Sequence, residues 1–243
     1  MAPDPKLAAA NAATDLLRRA AAEHAPVALA SSFGAEDMVL IDLIAKAALP
    51  VGVFTLDTGR LPEETHALID RVRKVYGIVV DVYFPATDVV ESFVHAHGVN
   101  AFYESPSLRE RCCAIRKTEP LARALAGKRA WITGLRRSQS ITRREVALAE
   151  FDATHGIAKF NPLADWSRDE IWSYLKTHRV PYNALFDRGY ASIGCAPCTR
   201  AIEPGEDIRA GRWWWEHPEH RECGLHRRPL DVVVRTVSAR AEA

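Results

Sequence analysis

Five cysteines are the first residues whose type and spacing could do chemistry. Cys112 and Cys113 are adjacent, and Cys195-Ala196-Pro197-Cys198 is a C-x-x-C on a loop that carries glycine and proline. Two pairs of thiolates are what a tetrahedral metal or an iron–sulfur cluster needs, and a C-x-x-C loop lets both sulfurs turn toward one centre. Zinc ligands are normally separated by two to four residues, so the adjacent pair weighs against zinc. A thioredoxin-like C-x-x-C is the other reading of the second pair, but that motif should open a helix after an early strand. One isolated cysteine is often a small buried hydrophobe; four paired in this way are poorly explained so. The fifth, Cys223, lies in Glu222-Cys223-Gly224-Leu225-His226-Arg227-Arg228, where the downstream cations favour a thiolate and Glu222 opposes it.

Three further stretches suit an anionic ligand. Arg209 and Arg212 are three residues apart, on one face if helical, where they either fork onto a sulfate or phosphate or make a solvated basic face. Ser31-Ser32-Phe33-Gly34-Ala35-Glu36-Asp37 places hydroxyls and unpaired N–H groups between a strand and a helix, as an oxyanion site or an N-cap turn. It is not a Walker loop, because G-x-x-x-x-G-K-[ST] is missing. Leu56-Asp57-Thr58-Gly59-Arg60 ends a second strand, with Asp57 either in a pocket or capping the next helix. Trp213-Trp214-Trp215 cannot all belong to one helical core stripe, so at least one faces a neighbouring loop or ligand. His95, His97 and His155 have no ligand spacing and read as structural or surface groups.

The elements that must position these groups follow from periodicity. Val27–Ser31, Val51–Leu56, Ile78–Phe84 and Arg129–Thr133 read as strands, with Glu36–Ala48 and Glu63–Tyr76 as amphipathic crossover helices. Val146–Phe151 and Ile157–Phe160 read as two more strands. Ser167 and Glu170 form a capping box that opens a helix running through His178, and Pro181 stops the chain from continuing it. From Gly189 onward the composition is that of loops and short helices. The expected fold is α/β: a mostly parallel sheet with helices on both faces and a loop-rich C-terminal segment. Residues 1–188 form a nucleotide-binding part and 189–243 the segment with the C-x-x-C and Cys223, in one structural unit.

Length and charge exclude several classes. The 243 residues suit one large α/β core. Lysine and arginine number 32 against 31 aspartate and glutamate, for a net charge of +1, so no basic stripe invites nucleic acid. Charges interrupt every apolar stretch before the roughly 18–20 residues of a membrane span. The Ala-rich start, Leu7–Ala22, reads as a helix rather than a signal peptide. Five cysteines are too few for a disulfide scaffold, which points to a reducing compartment, the cytoplasm.

Taken together, these motifs resemble the assimilatory adenylyl-sulfate reductase family, the thioredoxin-dependent iron–sulfur branch of the enzymes that reduce activated sulfate. The specific combination is Cys112-Cys113-x-x-Arg116-Lys117 with the C-x-x-C and the terminal Glu222-Cys223-Gly224-Leu225-His226. The resemblance implies an adenine-nucleotide α-hydrolase-like fold and a four-iron four-sulfur cluster on Cys112, Cys113, Cys195 and Cys198. It implies Cys223 as the catalytic nucleophile, and substrate binding by Ser31, Ser32, Asp37, Leu56, Gly59, Lys117, Arg143, Arg209, Arg212 and His226. The implied reaction, in sulfate assimilation and cysteine biosynthesis, converts adenylyl sulfate to AMP and sulfite through an S-sulfocysteine. Thioredoxin or a glutaredoxin-like thiol donor supplies the electrons, and the C-terminal segment opens and closes over the pocket. A phosphoadenylyl-sulfate reductase or a dual-specificity enzyme is the nearest alternative, and an iron–sulfur redox sensor a remote one. The expected partners include neither nucleic acid nor membrane, and a homo-oligomer is compatible with the sequence.

Overall fold

A strand buried on both faces needs apolar side chains at successive positions, and Val27–Ala30 and Ala130–Ile132 meet that condition. The computed structural model describes residues 5–140 and 143–217. In chain order the helices and strands are α1 (Pro5–Glu23), β1 (Val27–Ala30), α2 (Ala35–Lys46), β2 (Val51–Leu56), α3 (Glu63–Tyr76), β3 (Val80–Tyr83) and α4 (Thr87–His97), followed by α5 (Pro106–Cys113), α6 (Glu119–Leu125), β4 (Ala130–Ile132), β5 (Ala149–Asp152), β6 (Ile157–Phe160) and α7 (Arg168–Thr177). The strands form one sheet in the order β3-β2-β1-β4-β6-β5. Every neighbouring pair is parallel except β5 with β6.

Helices cover both faces. Val27, Leu29, Val53, Ile132 and Phe160 point to one side, where they pack with Leu17, Met38, Ile41, Leu68, Val72, Ile171 and Leu175 of α1, α2, α3 and α7. Ala28, Phe54 and Trp131 point to the other, against Leu121, Ala124 and Leu125 of α6. This is the period-two alternation of strands expressed as two cores. The capping box forms as expected: Ser167 Oγ accepts the Glu170 N–H, and the Glu170 carboxylate accepts the Ser167 N–H.

Several expected elements differ in length. The third strand covers Val80–Tyr83 rather than Ile78–Phe84, and lies at the sheet edge beside β2. The fifth begins at Ala149 rather than Val146. Two helical regions lie outside the expectation: α4, and the stretch from Pro106 to Leu125, where a π-helical turn at Ala114–Thr118 joins α5 to α6. Residues 189–217 form turns and a short 3-10 helix at Ala196–Cys198. No helix among the described residues is long and apolar enough to cross a membrane.

Candidate active site

The strand order reverses at β1, whose chain continues to β2 on one side while β4 lies on the other. In open α/β sheets ligands bind at such a switch point, outside the carboxyl ends of the strands. After β1 the chain turns through Ser31–Gly34 into α2. Phe33 takes φ +58°, unusual for a bulky residue, and its N–H donates to Ser31 Oγ at 3.1 Å. Gly34 caps α2 with no side-chain bond, and Asp37 in the first turn folds back on the loop. Asp37 Oδ2 accepts the Ser32 N–H at 2.7 Å and the Ser32 hydroxyl at 2.9 Å. Burial pushes the Asp37 carboxyl up to about 6, although these bonds act the other way.

Next to it, the loop after β4 comes close because residue 134 is glycine: a Cβ there would strike Asp37 and Glu36. Buried Arg136 then reaches across the switch point. Its Nη2 lies 2.7 Å from Glu36 Oε1, and its Nη1 donates to Ser138 Oγ at 2.6 Å and to the Trp166 carbonyl at 3.1 Å. Gln139 Oε1 accepts from Arg143 Nη1 at 2.6 Å, which ties Arg143 to the same loop.

At the end of β2, Asp57 does not cap α3, whose N-cap is Pro62. Instead Asp57 accepts the Gly59 N–H at 2.8 Å and faces His66 Nε2 at 2.8 Å. Gly59 takes φ +69°, the left-handed conformation that favours glycine. Arg116 Nη1 donates to the Thr58 carbonyl at 2.6 Å. Arg60 is not a free surface cation: its guanidinium donates to Asn100 Oδ1 and the Val99 carbonyl and sits 5.0 Å over the Phe102 ring.

These edges enclose a cleft of about 280 Å³. Ser31, Ser32, Asp37, Leu56, Lys117, Arg143, Arg209 and Arg212 all line it, with Phe54, Leu121 and Trp131 among its apolar walls. Gly59 does not line it, and its place is in the turn below. Cys223 and His226 lie outside the described residues. Arg136, Gln139, Arg168 and Trp172 also line the cleft and were missed by sequence reasoning. The usable signals were the position of Arg136 just past the end of β4 and of Arg168 directly after the N-cap Ser167.

A second, smaller cavity of about 20 Å³ is lined by Cys112, Cys113, Cys195 and Cys198. The π-helical turn after Cys113 carries Lys117; such turns recur at functional sites. The C-x-x-C loop is fixed by Ala196 N–H donating to the Arg60 carbonyl at 2.8 Å, and by Tyr103 OH donating to the Pro197 carbonyl at 2.7 Å. Thr58 Oγ1 lies 3.2 Å from Cys195 Sγ. None of the four thiols, among the described residues, forms a disulfide. Burial raises the Cys112 thiol, and burial followed by neighbouring Cys195 pushes Cys198 up to about 12 against the opposing pull of Lys117 and Arg212. Lys117, Cys195 and Trp213 line both cavities, so the two sites share one wall. Among the described residues no group of three or more His, Cys, Asp or Glu side chains could hold a single metal ion.

Arg209 and Arg212 are brought together by a turn rather than a helix, with the Arg212 N–H donating to the Arg209 carbonyl at 2.9 Å. Arg212 is buried, its Nε and Nη1 each 3.3 Å from a carbonyl, of Cys198 and Ile193. A Cβ at Gly194 would strike its guanidinium. Of the three tryptophans, Trp213 is the one that lines the cleft.

The sheet order and the cleft at its switch point define an α/β protein of the adenine-nucleotide α-hydrolase-like class. An FMN adenylyltransferase of Candida glabrata shares this fold at TM-score 0.56 and 15% identity, covering 96% of this chain and 85% of that one. The chain belongs to the family described as the phosphoadenosine phosphosulfate reductase domain, whose model matches residues 26–201. It is 55% identical to the adenosine 5'-phosphosulfate reductase of Allochromatium vinosum over 217 residues, 89% of this chain and 85% of that protein. It is 52% identical to the Burkholderia cepacia protein of the same name over 240 residues, 98% of this chain and 94% of the other. A solved phosphoadenylyl-sulfate reductase from Candida auris matches at TM-score 0.67 and 27% identity, covering 83% of this chain and 98% of that one.

Proposed function

We propose that this chain reduces adenylyl sulfate to sulfite and AMP in sulfate assimilation. The observation that carries the reading is the shared wall: Lys117, Cys195 and Trp213 face both a nucleotide-sized cleft and a pocket of four cysteines. The relatives named adenosine 5'-phosphosulfate reductase support the same substrate. Residues 1–188 act as the nucleotide-binding part and 189–243 as the segment that brings the arginines and the nucleophile to it.

Adenosine lies along Leu56 and the apolar wall, while Ser31, Ser32, Lys117, Arg143, Arg209, Arg212 and His226 hold the phosphate and sulfate. Cys223 thiolate attacks the sulfur of adenylyl sulfate, the sulfur–oxygen bond to the phosphate breaks, and AMP departs, leaving an S-sulfonate on Cys223. Arg209, Arg212 and Lys117 offset the charge that develops on the departing phosphate. A dithiol of the thioredoxin type then attacks Cys223 Sγ and sulfite leaves. Its second thiol resolves the mixed disulfide, so both electrons come from the dithiol. A reducing compartment, the cytoplasm, suits this donor.

Cys112, Cys113, Cys195 and Cys198 are proposed to hold a four-iron four-sulfur cluster. Two observations support the fit. Four sulfurs surround one small pocket whose burial disfavours bare thiolates, and the buried indole N–H groups of Trp213 and Trp215 have no hydrogen-bond partner. A single ion needs its thiolates within about 2.3 Å of one point; a cluster spreads them over several irons. When bound, the cluster would order the loops that aim Lys117, and would supply no electrons to the reaction.

The test is the intact mass of anaerobically purified protein after incubation with adenylyl sulfate or, separately, phosphoadenylyl sulfate. A sulfonate adduct that is absent in Cys223→Ser is the expected result, formed faster from adenylyl sulfate. No adduct from either nucleotide would overturn the reductase reading, and faster labelling by the 3'-phosphorylated compound would reassign the substrate.

A further inference from the structure

Arg109 on α5 is among the most deeply buried side chains, at 1% exposure; it lines the cysteine pocket but not the nucleotide cleft, and no role has been assigned to it above. Its Nε and Nη2 donate to the two carboxylate oxygens of Glu216 at 2.8 and 3.0 Å, a fork-to-fork pair. Glu216 is buried as well. Taking both charges out of water is expensive, so a pair of this kind is weak evidence for stability and needs another explanation. The explanation lies in what the pair holds. Glu216 N–H donates to the Trp213 carbonyl at 2.9 Å, closing the turn that carries Trp213. The Arg109 guanidinium sits 5.0 Å over the Trp213 ring, and the Arg212 guanidinium 4.6 Å over the same ring. Trp213 itself takes φ +44°, a conformation a bulky residue holds only when its surroundings impose it.

We infer that Arg109 and Glu216 are a positioning pair for substrate. They clamp the strained Trp213 turn to α5, and Trp213 seats the Arg212 guanidinium at the wall of the nucleotide cleft, so the pair sets affinity for the anionic end of the nucleotide without touching it. The inference rests on the proposed reading of the cleft as a phosphosulfate site. Glu216 has a second consequence. Two guanidiniums share one indole, and the carboxylate neutralises the deeper one, which reduces the repulsion that Arg109 would otherwise exert on Arg212.

The experiment is a double-mutant cycle read by calorimetric binding of ADP, whose terminal phosphate stands in for the sulfate. Wild type, Glu216→Gln, Arg212→Gln and the double variant are compared. Each single change is expected to weaken ADP about tenfold, and the double variant to bind no more weakly than Arg212→Gln alone, because the pair acts through Arg212. If Glu216→Gln does not fold, Arg109→Lys takes its place, keeping the charge while losing the two-pronged bond. Unchanged ADP affinity in the folded variant overturns the inference, and so do additive losses, which would route the effect through the cysteine pocket that Arg109 also lines. A wild type that binds no ADP would instead overturn the cleft reading, and the inference with it.

Discussion

At the scale of single residues, Asp37 makes the clearest claim. Its carboxyl is pushed up to about 6 chiefly by burial, from an ordinary value of 3.8. The folded protein therefore holds this proton more tightly than the unfolded chain does. Stability from this group is greatest below the ordinary value, declines as pH rises between about 4 and 6, and stays lower above that. Asp37→Asn should remove the penalty while its amide oxygen still accepts from Ser32. Thermal unfolding across pH should then show the variant more stable at pH 8, by at most on the order of 3 kcal/mol, with the gap closing toward pH 4. Parallel curves would mean that the carboxylate is better solvated than its burial implies. Residues of this kind were legible in the sequence because a Ser-Ser-Phe-Gly turn before a helix is a local pattern. Arg136 and Gln139 were not. The role of Arg136 depends on Glu36 arriving from another element, which no local spacing records, and Gln139 meets Arg143 four residues on in an irregular loop that has no hydrophobic period.

At the scale of elements, legibility followed hydrophobic periodicity. Strands β1 and β4 were readable because both of their faces are buried. The helices from Pro106 to Leu125 were not, because α5 and the π-helical turn bury Arg109 and Arg116 where a periodic reading expects apolar side chains. The two charges break the pattern in the very stretch that carries Cys112, Cys113 and Lys117. α4 was missed for the opposite reason: Phe93 is its only buried side chain, so it has almost no stripe to detect. α7, by contrast, announces itself through its cap, and that cap presents Arg168, Ile171 and Trp172 to the cleft. Ser167→Ala removes the acceptor for the Glu170 N–H and should cost about 1 kcal/mol. For a chain of this size that is a fall of about 2–4 °C in Tm, measurable by calorimetry. An unchanged Tm would mean that Ile171, Tyr174 and Leu175 hold the first turn by packing alone.

At the scale of the whole molecule, the cleft is closed by two parts of the chain that are far apart in sequence. One wall is the carboxyl edge of the sheet, and the other is the 189–217 segment with Ile193, Arg209 and Arg212. That segment has no strand or α-helix of its own. It is held by a few specific bonds, among them Ala196 to Arg60, Tyr103 to Pro197 and Arg109 to Glu216. The part beyond Cys198, which the proposed cluster does not tie to α5, opens at lower free energy than the sheet core, because fewer contacts must break. A ligand that bridges both walls binds only the closed form, so it should suppress opening by the factor one plus its concentration over Kd. Limited trypsin digestion reads this directly, with Arg200 and Arg209 as sites in the segment and the exposed Arg71 and Lys74 on α3 as internal references. When cleavage is slow relative to reclosing, ADP at a hundred times its Kd should slow cutting in the segment about a hundredfold. Cutting at the α3 sites should change far less wherever it proceeds without opening of the segment. Uniform slowing at every site would show instead that the segment opens only with the whole fold, which would make it part of the rigid wall and remove the basis for a moving closure.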